Sequence, residues 1–375
     1  MKAIRLGFCA PVFICSCAAA ALAADVVGIA PAKDLPGAQQ PQLAVSPGGT
    51  IYMAFGSGNS IFCTSSASGT RFEPPKKIGE SGVMALGMRR GPRIAASEKS
   101  VVVTAVVGEQ GHGRDGDLLA WHSSSGGDHW SGPVKINTVP GSAREGLHHL
   151  TVAPDGTFYC VWLDLREKTA QVYGAASGDG GETWHDEKMI YRSPEGPVCQ
   201  CCQPQATFDR DGGLHVMWRN NLAGARDMYL ANSGDNGRSF DRAKKLGRGT
   251  WPLNACPMDG GGIACDTDGT VHTIWRRDHD LYSCTPGKME LPLGRGQQGW
   301  AASGPGGVYF IWIERRPGAV MLLPPHADAP VKLADAASDP VIAGPVNGMG
   351  PIVAAWQTDS SDGDRIQATV LTRRK

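Results

Sequence analysis

The chain has 375 residues, with 36 lysines and arginines against 36 aspartates and glutamates, and 50 glycines. Balanced charge without a basic run argues against nucleic acid and anionic membrane surfaces as partners. About 350 residues beyond a leader would ordinarily form two or more domains, unless the chain is built from repeats.

Lys2 and Arg5 precede the apolar run LGFCAPVFICSC (6–17), and small residues follow as far as Ala24. This is the pattern of a secretory signal over 1–24, cut near Ala23 or Ala24 and too short to span a membrane. Acylation of Cys17 is a poorer alternative. Residues 25–375 are then the mature chain, expected to be periplasmic or secreted and without a membrane span. Eight of the eleven cysteines follow the signal: Cys63, Cys160, Cys199, Cys201, Cys202, Cys256, Cys265 and Cys284. An even number in an oxidising compartment makes disulfides the first expectation.

Seven heptads recur: GTIYMAF (49–55), KSVVVTA (99–105), GTFYCVW (156–162), GGLHVMW (212–218), GTVHTIW (269–275), GGVYFIW (306–312) and GPIVAAW (350–356). Most open on a glycine turn, run through β-branched or aromatic residues and close on Trp or Phe, as a strand leaving a tight turn does. A short apolar strand precedes most of them, such as PQLAVSP or HHLTVAP, and a third follows, such as SIFCTS or DMYLANS. A fourth reads PKKIG, PVKIN, EKMIY, AKKLG, MELPLG or PVKLA. Four antiparallel strands repeated every 37–57 residues predict an all-β fold, a β-propeller of four-stranded blades forming a single domain over 25–375. The count is seven blades, with six as the alternative because the last two copies are short. The seventh copy lacks a fourth strand, and DVVGIA (25–30) is expected to supply it and so hide two sheet edges.

The turn after the third strand carries its own signature. Ser177, Asp179, Gly181, Thr183 and Trp184 match Ser233, Asp235, Gly237, Ser239 and Phe240 as S-x-D-x-G-x-[TS]-[WF]. SSSGGDHW (123–130) keeps the frame with Ser125 in place of Asp, and SSASGTRF (65–72) is weaker. Asp accepts backbone N–H bonds across such a turn, Gly takes the left-handed conformation, and the aromatic packs beneath. These boxes resemble the Asp box, or BNR repeat, of the sialidase-like propellers, over nearly all of the mature chain. The resemblance implies the fold; it also implies that the box aspartates are structural and lie away from the family's active site.

Loops before first strands and after second strands share the face opposite the boxes, where a ligand is expected. That face collects Arg93, Arg166, Arg219, Arg226, Arg276 and Arg315, with His148, His149 and Trp251. Arginine forks suit a planar carboxylate, and the sialidase resemblance implies three arginines on a substrate carboxylate, a Tyr–Glu nucleophile and an Asp acid/base. PRI (92–94) resembles the family's Arg-Ile-Pro motif with Ala95 in place of the proline; Arg219, Arg276 and Arg315 are candidates to complete a triad. None of the tyrosines falls on an innermost strand, so Asp164 with Glu314 is the carboxylate pair considered for hydrolysis. The expected partner is an acidic glycan or other small anion, bound or hydrolysed; a protein-docking scaffold is the alternative.

Cys199, Cys201 and Cys202 lie in the loop entering the fourth unit, and Cys256 in the loop entering the fifth, so the two loops are expected side by side. A disulfide between Cys256 and one of the trio is the first reading. A soft-metal site is the second, with Cys201, Cys202, Cys256 and Met258 offering sulfur to copper or zinc and His148 or His149 imidazole. A catalytic thiol is the third. No cofactor is otherwise expected. CQCCQP, GARDMYLANS and TWPLNACPMDGGG resemble segments of a group of bacterial secreted sialidase-like proteins, which implies that units four and five carry what is particular to this chain.

Overall fold

The computed structural model describes residues 25–372, so the signal expected over 1–24 lies outside the described residues. Those residues form β-strands and turns, without an α-helix.

The seven heptads are second strands, from Ile51–Ser57 to Ile352–Thr358. They are continuous apolar runs: Phe158–Asp164 is buried along its length, and Val101–Gly108 as far as Val107. Such runs belong to strands covered on both faces. Fourth strands at the rim are the reverse: Lys76–Glu80 and Leu291–Arg295 are largely exposed, and Lys244–Lys245 is two residues long. Short, charged outer strands discourage pairing with another chain.

Units one, three, four and five are four-stranded antiparallel sheets in chain order. Unit three, for example, runs His148–Val152, Phe158–Asp164, Gln171–Ser177 and His185–Tyr191. Unit two adds Val83–Met84, which pairs with the same second strand as Arg93–Ala96, beyond its end. The last sheet has seven strands because Val331–Ala343 serves twice. Its first half pairs with Gly318–Leu323 as the sixth unit's fourth strand, and its second half pairs with Ile352–Thr358 as the seventh unit's first. Val26–Gly28 pairs with Ile366–Thr372, with Val26 opposite Thr369, and so supplies the missing strand as expected.

The core lies between sheets. Trp162 shares a cluster with Leu118 and Ala120 of the unit before it, Trp218 with Val161 and Val172, and Trp312 with Ile274 and Leu281. Truncating a buried aromatic of this size costs about 3–5 kcal/mol. First strands contact one another in the order of the chain, and the second half of Val331–Ala343 lies beside Ala38–Val45 of unit one. A cavity of 150 Å³ is lined by residues of every unit's first strand, among them Gln42, Arg93, His149, Gln205, Cys265, Trp300 and Ile342.

The boxes fold as their chemistry requires. Gly181 N–H donates to Ser177 Oγ at 2.9 Å and Thr183 N–H to Asp179 Oδ1 at 3.0 Å; the second box repeats this with Gly237 to Ser233 at 2.9 Å and Ser239 to Asp235 at 2.8 Å. In the degraded box Ser125 Oγ takes the role of Asp, accepting from His129 N–H at 2.9 Å. Gly237 sits at φ +83°, and a Cβ there would stand inside the edge of the Tyr159 ring on the preceding unit. Gly212 has a similar φ of +88° with open space around it. Gly237→Ala should therefore cost about 3 kcal/mol, from strain and overpacking together, and Gly212→Ala about 1 kcal/mol from strain alone. Urea unfolding of the two variants checks the ranking.

Candidate functional site

Loops before first strands meet loops after second strands on one face, as expected: Leu165 N–H donates to Ser142 O at 2.8 Å and Cys199 N–H to Arg219 O at 3.0 Å. Most of the expected ligand-gripping groups on this face are already engaged with the protein.

Asp164 ends a second strand and is buried. Its Oδ1 accepts from Arg166 N–H at 2.9 Å and Arg166 Nε at 2.8 Å; its Oδ2 accepts from Ser142 Oγ at 2.7 Å, Trp162 Nε1 at 2.8 Å and Arg166 Nη2 at 2.9 Å. Burial alone would raise its pKa, but these donors outweigh it and hold the carboxyl below the ordinary range. With both oxygens occupied by donors of the protein, Asp164 ties the end of its strand to Ser142, Trp162 and Arg166. Arg166 is spent on it and on Glu187.

Arg93 and Arg219 are engaged in the same way. Both are 1% exposed. Arg93 donates to the carbonyls of His148 at 3.1 Å, Pro92 at 2.9 Å and Gly91 at 3.3 Å, and also to that of Arg89. Burial and then the neighbouring Arg89 draw it down to about 9. Arg219 donates to the carbonyls of Asp259 at 2.9 Å, Arg226 at 2.6 Å and Arg276 at 2.9 Å, tying units four and five together. Arg226 is half-buried and donates to Leu253 O at 3.3 Å. Trp251 is buried, with the guanidiniums of Arg219 and Arg276 at 5.2 and 5.5 Å from its ring centroid. Its indole is a seat for both arginines.

His148 is fully buried, with Nε2 3.1 Å from Thr104 Oγ1, and burial keeps it neutral. His149 lines the 150 Å³ cavity; its Nδ1 accepts from Ala206 N–H at 3.3 Å, and burial followed by Arg93 lowers it to about 3. Neither imidazole is directed at the cysteines.

Two of the predicted arginines remain available. Arg276, His279, Arg295, Gln297, Glu314 and Arg315 line a cleft of 510 Å³ between units five and six on this face. Arg276 is held by Gln297 Oε1 at 2.9 Å and Pro257 O at 3.3 Å, and its buried Nε has no partner. Arg295, Glu314 and Arg315 are exposed. Glu314 is the single carboxylate of the lining, and Asp164 is not part of it, so the expected catalytic pair is not assembled here.

Cys199, Cys201 and Cys202 form a buried cluster. Cys199 Sγ lies 3.7 Å from Cys201 Sγ and 3.4 Å from Cys202 Sγ, and all three sulfurs fall within 4.8 Å of one another. Met258 of the neighbouring loop packs on them, Asp259 N–H donates to Cys202 Sγ at 3.4 Å, and Cys256, exposed, interacts with Cys201. The two loops are therefore neighbours, as expected. The expected disulfides are not formed: all eight cysteines among the described residues are free, and 3.4 Å far exceeds the S–S bond of about 2.05 Å. Contacts with Cys201 and Cys202 lower the Cys199 thiol, with Arg219 and Arg226 adding to them.

Residues 96–257 match the family model of the BNR repeat-like domain. No curated protein matches the chain in sequence at a significant level. Solved structures similar to this chain are propellers at low identity. An α-L-arabinanase of Penicillium chrysogenum complexed with arabinobiose is 12% identical, with a TM-score of 0.54, covering 92% of this chain and 97% of its own. The Hadza microbial sialidase Hz136 is 13% identical, with a TM-score of 0.53, over 92% and 68%. A catalytically inactive virginiamycin B lyase of Staphylococcus aureus with quinupristin is 12% identical, with a TM-score of 0.56, over 93% and 100%. Such likeness establishes the sialidase-like propeller fold and leaves the chemistry to the site.

Several buried polar residues on this face were not singled out as site residues by the sequence. Gln298 N–H donates to Asp259 Oδ2 at 2.9 Å and its amide to Asp339 Oδ1 at 3.1 Å, while Gln203 is buried with neither amide atom paired. The repeated Gln-Pro-Gln at 40–42 and 203–205, each entering a first strand, is the feature that would have pointed there. For Asp164, the expected outcome of Asp164→Asn is a loss of about 3 kcal/mol, as for a broken buried pair. Because its folded pKa is depressed, its contribution is complete above the unfolded value of about 3.9 and disappears as pH falls through the folded one. Denaturant unfolding from pH 7 to 3 should show the wild type losing stability more steeply than Asp164→Asn.

Proposed function

We propose that the chain is a seven-bladed, ring-closed extracytoplasmic propeller that binds a small anionic ligand, foremost an acidic glycan, in the cleft of Arg276, His279, Arg295, Gln297, Glu314 and Arg315. The observation that supports this is the convergence of three guanidiniums from two adjacent units around a single carboxylate. Arg276 is positioned in advance by Gln297 and Pro257, so little ordering is left for the ligand to impose on it. Gln297 and Glu314 offer polar groups to hydroxyls.

Binding is favoured over hydrolysis. Glycoside cleavage ordinarily uses two carboxyl groups about 5–9 Å apart, and this cleft supplies one. An arabinanase and a sialidase among the structures of the same fold support a sugar as the ligand, at the level of fold.

Titration calorimetry with sialic acid, glucuronic acid and a neutral hexose tests the proposal. The acids should bind and the hexose should not, with affinity falling as salt rises. Arg315→Ala and Arg295→Ala, both on exposed side chains, should each weaken binding about tenfold or more, the range of a lost charge-assisted hydrogen bond. Equal binding of the neutral sugar, or unchanged affinity in the double variant, would sink the anion cleft. Release of a fluorogenic aglycone that Glu314→Gln abolishes would show a hydrolase instead.

A further inference from the structure

We propose that the loops entering units four and five form a site for a soft, thiophilic d10 cation, Cu(I) or Zn(II), with Cys199, Cys201 and Cys202 as its core ligands. This site is separate from the anion cleft and does not depend on it.

The sulfur geometry carries the inference. A metal–thiolate bond of about 2.3 Å places tetrahedral ligand sulfurs about 3.8 Å apart. The observed separations from Cys199 are 3.7 and 3.4 Å, close to that spacing and far from a disulfide. Free cysteines behave as small hydrophobes when dispersed in a core, as Cys63, Cys160 and Cys265 are. Three converging from four consecutive positions are not needed for packing.

The surroundings supply fixed polar contacts. Asp259 N–H is directed at Cys202 Sγ, the kind of outer contact that orients and stabilises a metal-bound thiolate. Arg219 is tied by its carbonyl bonds across the same two loops and its own carbonyl accepts from Cys199 N–H at 3.0 Å, which sets a permanent positive charge near the trio. The loop carrying the neighbouring sulfurs is fixed as well, with Met258 in the left-handed region at φ +56° and packed on the cluster.

The donor set chooses the class of ion. His148 and His149 are engaged elsewhere, so the site is made of sulfur. Thiolate and thioether donors select Cu(I) and Zn(II) over hard cations. The fourth position distinguishes the two: the Met258 thioether suits Cu(I), and the Cys256 thiol completes the four-thiolate set of a closed zinc site. Exposed Cys256 also marks the route of entry.

The reduced full-length protein, loaded anaerobically with Cu(I) or Zn(II) separately and passed over a competing chelator, should retain one equivalent of at least one ion. The retained ion should raise the melting temperature and protect Cys199, Cys201 and Cys202 from alkylation, as read by peptide mass spectrometry. Cys201→Ser should lose the ion while keeping a folded circular dichroism spectrum. Alkylation protection in the unsubstituted protein keeps the test valid if that variant does not fold. Met258→Leu should weaken Cu(I) about tenfold and Cys256→Ser should weaken Zn(II) about tenfold, the scale set by losing a partner of a metal site. Retention of neither ion by the folded, reduced protein would overturn the proposal. So would retention that leaves all three cysteines open to alkylation, or that persists in folded Cys201→Ser.

Discussion

A four-stranded sheet has two faces, and in this molecule both are covered by other sheets. That stacking is the constraint on which everything else rests, because no sheet buries its second strand without a neighbour on each side. It explains why the heptads are continuous apolar runs rather than alternating ones, and why Trp162, Trp218 and Trp312 share cores with the unit before them. It also places the loops. Segments leaving the same end of every sheet must share a face, so residues far apart in the chain meet there without a specific pairing signal in either of them.

The arginines show what that convergence demands. Loops that enter one sheet beside loops that leave another expose carbonyls which no strand satisfies, and buried carbonyls require donors. Arg219 satisfies three of them across two units, and Arg93 gathers several around the entry to units two and three. A guanidinium is suited to this because it offers five donors in one rigid plane. The same property makes arginine attractive as a ligand grip, which is why residue type alone does not separate the two roles. Burial separates them: the buried Arg93 and Arg219 hold the fold, while Arg295 and Arg315 face solvent.

Units four and five are unusual in a second respect. The loop at 199–203 and the loop at 256–260 are bound by the Asp259–Cys202 hydrogen bond, by Met258 and by the Arg219 fork, so they behave as one rigid piece. Arg276 connects that piece to the anion cleft through Pro257 O and Gln297. Sulfur cluster and cleft are therefore adjacent features of one face, held by one set of backbone contacts.

Much of this architecture was legible in the residues themselves. The heptads, the Asp boxes and the N-terminal strand DVVGIA could be read because local periodicity and turn chemistry act over a few residues. Val331–Ala343 serving two units escaped, since a strand continuing through a bend looks like one strand in sequence. Asp164 and Glu314 looked like a pair because both follow a second strand; nothing local revealed that Ser142, Trp162 and Arg166 saturate the first. The sequence by itself determined an all-β repeat, the face where loops gather and the nearness of the two cysteine-bearing loops. Only the tertiary structure decided which charged groups are spent on backbone carbonyls and which are free, because hydrogen-bond saturation depends on neighbours from other units.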